Sequence, residues 1–250
     1  EIALDYISKY KRFCIFLGPG TGKTLIALAT IEMIENANPD KNTYLIVTPK
    51  KAIPQYTTET LKYLPKANII LKPDTPLLKE TTNIIITNYE SINKYTKLNY
   101  KCMILDESHK AKNVSSLVNK TLCKINAEAI YLFTGTPQDK QRDEIFAQLK
   151  ILNNDLFTLK YLFYGRYFVL DDYYKPIKEL HREELTEIIS KCTYGDKTEN
   201  LIDLPQEVEE EVTCQLDSLK ETYKKFKKDK VLKGKGWYAL GDSGAKHRIS

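Results

Sequence analysis

The chain has 250 residues, 42% hydrophobic and 28% charged, with a formal net charge of +5, which is room for one large or two small domains with an ample core. It contains no run of about eighteen uncharged apolar residues, which excludes a spanning helix, and its start, EIALDYISKYKR, lacks the basic-then-apolar pattern of a secretory signal. Five scattered cysteines without a C-x-x-C pair and three distant histidines argue against a disulfide framework or a zinc centre, and for a reducing interior.

Along the first two thirds of the chain, short β-rich runs alternate with helical patterns. Strands are predicted at residues 13–17, 44–48, 68–71, 84–87, 102–106 and 130–133, and helices at 23–35, 53–63 and 117–125. Most of the strand runs are continuously apolar, as expected of strands covered on both faces. Strand and helix alternating at this spacing predict an α/β fold whose parallel sheet has right-handed crossovers. Ligands of such sheets sit beyond the carboxyl ends of the strands.

After residue 152 the pattern changes. Residues 153–190 are rich in aromatic and charged side chains, include LFYGRYFVLDDYYKP, and read as a mainly helical insertion. LPQEVEEEVTCQL alternates and predicts a strand returning to the body; residues 217–232 read as a helix, and KGKGWYALGDSGAK as a glycine-rich mobile stretch. The expected organisation is a lobe at 1–152, an insertion at 153–204 and a return strand, helix and connector at 205–250. From residue 217 onward there are ten Lys or Arg against four Asp or Glu, so the tail carries +6 and the rest of the chain −1. Such a tail either touches a polyanion or is a solvated lysine-rich helix.

Between the first strand and the first long helix stands GPGTGKT, comprising Gly18, Pro19, Gly20, Thr21, Gly22, Lys23 and Thr24. Glycines there let the backbone approach an anion with positive φ, and the helix start adds unpaired N–H groups and its dipole. Lys23 is placed to reach the β- and γ-phosphates of a nucleotide, and Thr24 to hold Mg²⁺ through its hydroxyl. The general pattern has a further glycine, separated from the Gly-Lys pair by four residues; Leu17 stands there instead.

The strand at 102–106 runs into MILDESHKAKN, about eighty residues after Lys23. Asp106 at the strand end can orient Mg²⁺, and Glu107 can polarise an attacking water. His109 reads as a residue coupling this motif to the next, or as a satisfied, non-catalytic histidine. The next is YLFTGTPQDK, where a buried strand ends in Thr134, Gly135, Thr136 and Pro137. A phosphate nest, an acidic pair and a hydroxyl turn thus converge on one sheet edge.

Taken in order, GPGTGKT, LIVTPKKAIPQY, IIITNYESI, DESHKAKN and FTGTPQDKQRDEIFAQLKIL resemble the motifs of superfamily-two helicases, and within them those of the Swi/Snf-type DNA translocases. Lys112 and Asn113 after the Asp-Glu-Ser-His, and Glu144 after the Thr-Gly-Thr-Pro, are features of that branch. The resemblance spans roughly residues 2–223. It implies a RecA-like P-loop lobe, a parallel sheet flanked by helices with a helical insertion near the C-terminal side, that binds ATP and Mg²⁺ and acts on DNA, duplex favoured. By position it implies that Lys23 and Thr24 bind nucleotide and metal, and that Asp106 and Glu107 serve metal and water. It further implies that His109, Thr134, Gly135 and Thr136 couple hydrolysis to movement. Thr48, Pro49 and Lys50, with Thr87, Asn88 and Tyr89, and Lys112 with Asn113, would lie along the nucleic-acid backbone. Short hydroxyl, amide and cationic groups suit phosphate contacts that read no bases. On sequence alone, Thr48 and Thr87 serve equally well as helix caps.

The chain departs from the family in carrying Asp139 and Lys140 where Gln-Asn is usual, and CTYGDK where a double arginine is common. Its arginines after Thr136 are Arg142, Arg166, Arg182 and Arg248, none in the Gln-x-x-Gly-Arg-x-x-Arg pattern of a second lobe. The adenine-reading glutamine is expected about where Glu1 stands. The chain therefore reads as a first motor lobe without its second RecA-like lobe. Its expected setting is intracellular, in the cytoplasm or beside DNA in a nucleoid or a viral replication site, with no membrane partner. Two other readings stay open: the motor of a restriction, repair or RNA helicase, and a nucleotide-gated nucleic-acid-binding module whose turnover is incidental.

Overall fold

The computed structural model describes residues 2–37, 42–135 and 145–196, and three short strands at 231–233, 237–240 and 246–249. Residues up to 204 form one compact unit and residues 205–250 another.

The first unit opens with helix α1 (Ile2–Lys9), strand β1 (Arg12–Leu17) and helix α2 (Lys23–Ala37). Strand β2 (Thr43–Val47), helix α3 (Ile53–Tyr63), strand β3 (Asn68–Ile70) and strand β4 (Asn83–Thr87) follow. Strand β5 (Asn99–Asp106), helix α4 (Leu117–Leu122), strand β6 (Asn126–Thr134) and helix α5 (Ile145–Leu152) complete the predicted alternation. All pairings in this sheet are parallel, in the order β3-β4-β2-β5-β6-β1-β9, where β9 is Thr193–Asp196. Because the strands are parallel, β1, β2, β4, β5 and β6 all deliver their last residues to one edge, and β6 lies between β1 and β5.

The apolar runs sort by alternate residues onto the two faces. Tyr44, Ile46, Ile84, Ile86, Cys102 and Ile104 pack with Ala27, Leu28 and Ile31 of α2 and with Tyr56 of α3. On the opposite face, Leu45, Val47, Ile85, Met103, Leu105 and Leu132 pack with Leu122, Ile151 and Leu152. A strand buried on both sides cannot alternate with polar residues, which is why these runs are continuous. Pro54 lies in the first turn of α3, where its missing N–H costs nothing. Arg12 ties the start of β1 to the end of α5 and the start of the neighbouring β6 by donating to the carbonyls of Leu152 (2.7 Å) and Ala127 (3.1 Å).

The segment after α5 is less uniformly helical than its sequence suggests. Helix α6 (Lys160–Tyr167) runs into an antiparallel hairpin of β7 (Phe168–Leu170) and β8 (Pro176–Glu179), then helix α7 (Arg182–Cys192). Asp171 stabilises the hairpin turn by accepting from the amides of Tyr173 and Lys175. Phe163, Tyr164, Tyr167, Phe168 and Leu185 form a small core with Phe146 and Leu149 of α5. Strand β9 then adds to the sheet beside β1, a position for which no strand is predicted.

In the second unit, β10 (Val231–Lys233), β11 (Trp237–Leu240) and β12 (Lys246–Ile249) form a three-stranded antiparallel sheet. Val231 and Leu232, expected to end a helix, are in a strand, and the stretch expected to be mobile contributes β11 and the start of β12. The return strand expected within 205–216, and the helix expected up to residue 230, lie outside the described residues. Among the described residues, no helix is long and apolar enough to cross a membrane.

Candidate functional site

The loop from Gly18 to α2 is closed by its own groups. Gly20 and Gly22 have φ of +78° and +82°, a left-handed backbone that side chains resist. The Thr21 hydroxyl donates to the Gly18 carbonyl at 2.7 Å, and the Ile26 amide donates to the Gly22 carbonyl at 3.0 Å as the helix begins. No acidic residue occupies the first turn of α2, so its positive end is not neutralised from within. Lys23 is buried, and its ammonium donates to the carbonyls of Leu17 (3.1 Å) and Gly18 (3.0 Å).

Asp106 ends β5 with 7% exposure and Glu107 follows it. Burial pushes the Asp106 carboxyl above its ordinary value; a hydrogen bond from Thr48 counters this, Glu107 adds to it and Lys23 opposes it. The Thr48 hydroxyl lies 3.0 Å from Asp106 Oδ2, and the Tyr89 hydroxyl donates to the Asp106 carbonyl at 2.6 Å. Glu107 itself is in the left-handed region (φ 52°, ψ 52°), an uncommon state for a residue with a side chain. Its carboxylate lies 3.9 Å from the Lys23 ammonium through Oε1 and 3.3 Å from His109 Nδ1 through Oε2. The same His109 nitrogen is 2.9 Å from the Thr134 hydroxyl at the end of β6. A chain of contacts therefore runs from the glycine loop through Glu107 and His109 to Thr134.

Gly135 brings the end of β6 against the loop: a Cβ there would meet the Leu17 carbonyl oxygen at 3.3 Å and Pro19 Cδ at 3.4 Å. Thr136, expected beside it, lies outside the described residues. Tyr56, which the sequence does not single out, reaches the site from α3. It is 1% exposed, and its hydroxyl is close enough to Thr24 and Asp106 to feel both, yet completes no hydrogen bond.

The residues expected along a nucleic-acid backbone divide into two groups. Thr48, Pro49, Thr87 and Tyr89 are buried, with Thr48 and Tyr89 spent on Asp106 and the Thr48 amide on the Thr87 carbonyl at 2.9 Å. These four side chains are thus turned into the covered layer, and contact with a polymer at these positions falls to the backbone and to the neighbouring exposed residues. Thr48 does not cap a helix. Asn88 does cap a short helical turn, accepting from the Ser91 amide at 2.8 Å. Lys50 and Asn113 are exposed, and Lys112 is half-buried.

Chemically, a left-handed glycine loop at an open helix start with a buried ammonium fits a phosphate chain. Asp106 with Thr24 and the unsatisfied Tyr56 hydroxyl supplies oxygen donors only, the set that suits a small hard cation such as Mg²⁺.

Known proteins share parts of this sequence and fold. The chain is 27% identical over 158 residues to the ISWI chromatin-remodeling complex ATPase ISW2 of Saccharomyces cerevisiae, covering 58% of this chain and 14% of that protein. To the Saccharomyces cerevisiae nuclear protein STH1/NPS1 it is 26% identical over 230 residues, covering 81% and 17%. The chain thus spans a small part of the length of these relatives. A Sulfolobus solfataricus SWI2/SNF2 ATPase core solved in complex with dsDNA superposes with a TM-score of 0.64 at 21% identity, over 77% of this chain and 42% of that one, a likeness of fold. The family model described as the SNF2-related domain matches residues 11–247. With nearly its whole length inside that match, and with the glycine loop, the acidic pair and Thr134 on one sheet edge, the chain belongs to the SNF2-related domain family.

Proposed function

We propose that the chain is the ATP-binding first motor lobe of a nucleic-acid-dependent ATPase that works on double-stranded DNA as a translocase or helicase-like remodeler. The observation that carries this reading is the meeting of Lys23, Asp106 and Glu107 at one edge of a parallel sheet.

In this reading the amides of Gly18, Gly20, Thr21 and Gly22 cradle the phosphates, and Lys23 exchanges its two loop carbonyls for the β- and γ-phosphate oxygens. Thr24 and Asp106 hold Mg²⁺, which when bound neutralises phosphate charge. Glu107 orients and polarises the attacking water, with His109 and Thr134 linking it to the neighbouring strand. Of the expected DNA set, Lys50 and Asn113 are exposed and Asn88 and Lys112 half-buried, and these four suit backbone rather than base contacts. The names of the relatives, a chromatin-remodeling complex ATPase and an ATPase core in complex with dsDNA, support the choice of polymer. Full turnover needs a second RecA-like lobe, since charge on the transferred phosphate is met by arginines that this sequence does not carry in the family pattern. The free cysteines Cys14, Cys102, Cys123 and Cys192 suit a reducing, intracellular setting.

The test is steady-state ATP hydrolysis by the chain alone and by a form carrying both lobes, with duplex DNA, single-stranded DNA or RNA added separately. Strong stimulation by duplex DNA, confined to the two-lobe form and lost in Lys23→Ala, is expected. Hydrolysis indifferent to every nucleic acid would remove the motor reading, and robust turnover by the single lobe would remove the need for a second.

A further inference from the structure

Tyr56 sits on α3, just after the turn that contains Lys50 and Lys51. Its ring belongs to the core formed by α2, β2 and β4, with Ala27, Leu28, Ile46 and Ile86. Its hydroxyl is shielded from solvent and has no hydrogen-bond partner. A buried, unsatisfied hydroxyl is costly, and native proteins retain few of them. This one does not lie among apolar side chains alone: burial pushes the phenol up, the Asp106 carboxylate adds to that and the Thr24 hydroxyl opposes it, so both residues are near enough to act on it, although it completes a hydrogen bond to neither.

That polarity matters for the site. A threonine hydroxyl that gives a lone pair to a cation must direct its proton elsewhere. A buried carboxylate beside it needs donors to stay ionised, and Thr48 supplies one to Oδ2. We propose that Tyr56 is a positioning residue of the magnesium–nucleotide site: its hydroxyl, unpartnered in the nucleotide-free lobe, would on filling of the site accept the Thr24 proton and donate its own to Asp106, linking the two residues on the metal side of the site through a single phenol. The inference rests on reading Thr24 and Asp106 as the metal-side pair. It adds a residue from α3, the helix that follows the Thr48–Lys50 segment, so that in the filled site Asp106 would be held from both ends of the stretch between Thr48 and Tyr56, where the nucleotide-free lobe holds it from Thr48 alone.

Tyr56→Phe removes one oxygen and keeps the ring that fills the core. Binding of a fluorescent ADP derivative is measured in EDTA and across a titration of free Mg²⁺, and thermal unfolding is measured without nucleotide. The expected result is unchanged affinity in EDTA, a gain in affinity from Mg²⁺ reduced about tenfold, and a nucleotide-free melting temperature equal to or above that of the wild type. A purely structural tyrosine gives the reverse, a lower melting temperature with an intact Mg²⁺ response, and that result overturns the inference while leaving the proposed function in place. Wild-type protein whose ADP binding ignores Mg²⁺ would overturn both. Repeating the titration with a non-hydrolysable ATP analogue completes the test: an effect present with that analogue and absent with ADP would assign the hydroxyl to a γ-phosphate oxygen and refute the Thr24–Asp106 link.

Discussion

The Thr48 hydroxyl donates to Asp106 Oδ2 at 3.0 Å, and both side chains are buried. Thr48 ends the run that begins with β2, and Asp106 ends β5, the strand beside it. The residue expected to face DNA is thus in direct contact with the carboxylate expected to serve the metal. Tyr89, from the segment after β4, holds the Asp106 carbonyl in the same way. Both segments assigned to the polymer therefore end on Asp106, and a displacement of either moves a group in the candidate ATP site.

Thr48→Val keeps shape and removes the donor. A buried hydrogen bond to a charged group contributes about 1.5–3 kcal/mol, so the variant should be less stable by that order. Without this donor, which counters burial, the Asp106 carboxyl rises further above its ordinary value. If Asp106 works ionised, the acid limb of the ATPase pH profile must move to higher pH. Denaturant melts and a pH–rate profile of the two-lobe form check both points. An unshifted acid limb would show that the contact does not tune Asp106.

Asp106→Asn tests the cost of the buried charge. Because the folded carboxyl titrates above its ordinary value, the native state holds that proton more tightly than the unfolded chain does. The linkage sign then makes the wild-type fold less stable as pH rises through the window between the unfolded and folded values, and more stable as pH falls back through it. Asp106→Asn should melt at or above the wild-type temperature at pH 7, and the advantage should vanish toward about pH 4, near the unfolded value. Hydrolysis should be lost at every pH. A variant that is less stable at pH 7 and gains on the wild type as the solution is acidified would reverse the sign and refute the argument.

Glu107→Gln separates binding from chemistry. The side chain is partly exposed, between Lys23 and His109, and its carboxylate is the group placed to polarise water. Glutamine keeps the length and the left-handed backbone problem, so nucleotide affinity should stay close to that of the wild type. Hydrolysis should fall by about 10²-fold or more, the range of a general base. Nucleic-acid binding that still responds to ATP after hydrolysis is lost, with that response abolished in Lys23→Ala, would favour a nucleotide-gated module over a motor, whereas retained turnover would remove Glu107 from the chemistry.

These contacts also mark where sequence reading succeeds. The glycine loop, the acidic pair and the body of the sheet are written in local patterns: continuous apolar runs, left-handed glycines and turn residues at strand ends. Helix α3 is read to its boundaries because it begins at an Ile-Pro and ends before Leu64-Pro65. What the helix does with Tyr56 is not local. Whether that residue faces solvent or Asp106 depends on how α3 packs on β2 and β4. The inward turn of Thr48, Thr87 and Tyr89 likewise depends on which layer covers the strand ends. The β7–β8 hairpin is hidden by aromatic and charged residues that also suit a helix, and its turn depends on Asp171 together with a left-handed Tyr174. Strand β9 has only four residues, and its partner lies far back in the chain at β1, so no window of sequence contains the pairing.

Because β9 is the element least visible beforehand, its pairing yields the sharpest structural test. Gly195 pairs with Phe16, and a Cβ at Gly195 would stand 3.0 Å from the Phe16 Cβ, tighter than nearly all such contacts, so one of the two must give by a few tenths of an ångström. The adjacent Tyr194 is fixed by stacking on Tyr6 of α1 at 5.1 Å between ring centroids, so the strand cannot easily slide away. Gly195→Ala must therefore displace β9 or push on Phe16. Overpacking of this kind costs about 1–3 kcal/mol, or roughly 2–12 °C of melting temperature for a domain of this size. Phe16 directly precedes Leu17, whose carbonyl accepts from Lys23, so the strain also reaches the glycine loop. Gly195→Ala should lower both stability and nucleotide affinity, whereas Tyr194→Ala, which loosens the strand without pushing on β1, should lower stability alone. Differential scanning fluorimetry with and without magnesium nucleotide distinguishes them: the nucleotide-induced shift shrinks in the first variant and persists in the second. A Gly195→Ala protein with wild-type melting and a wild-type nucleotide shift would mean that β9 does not lie against β1.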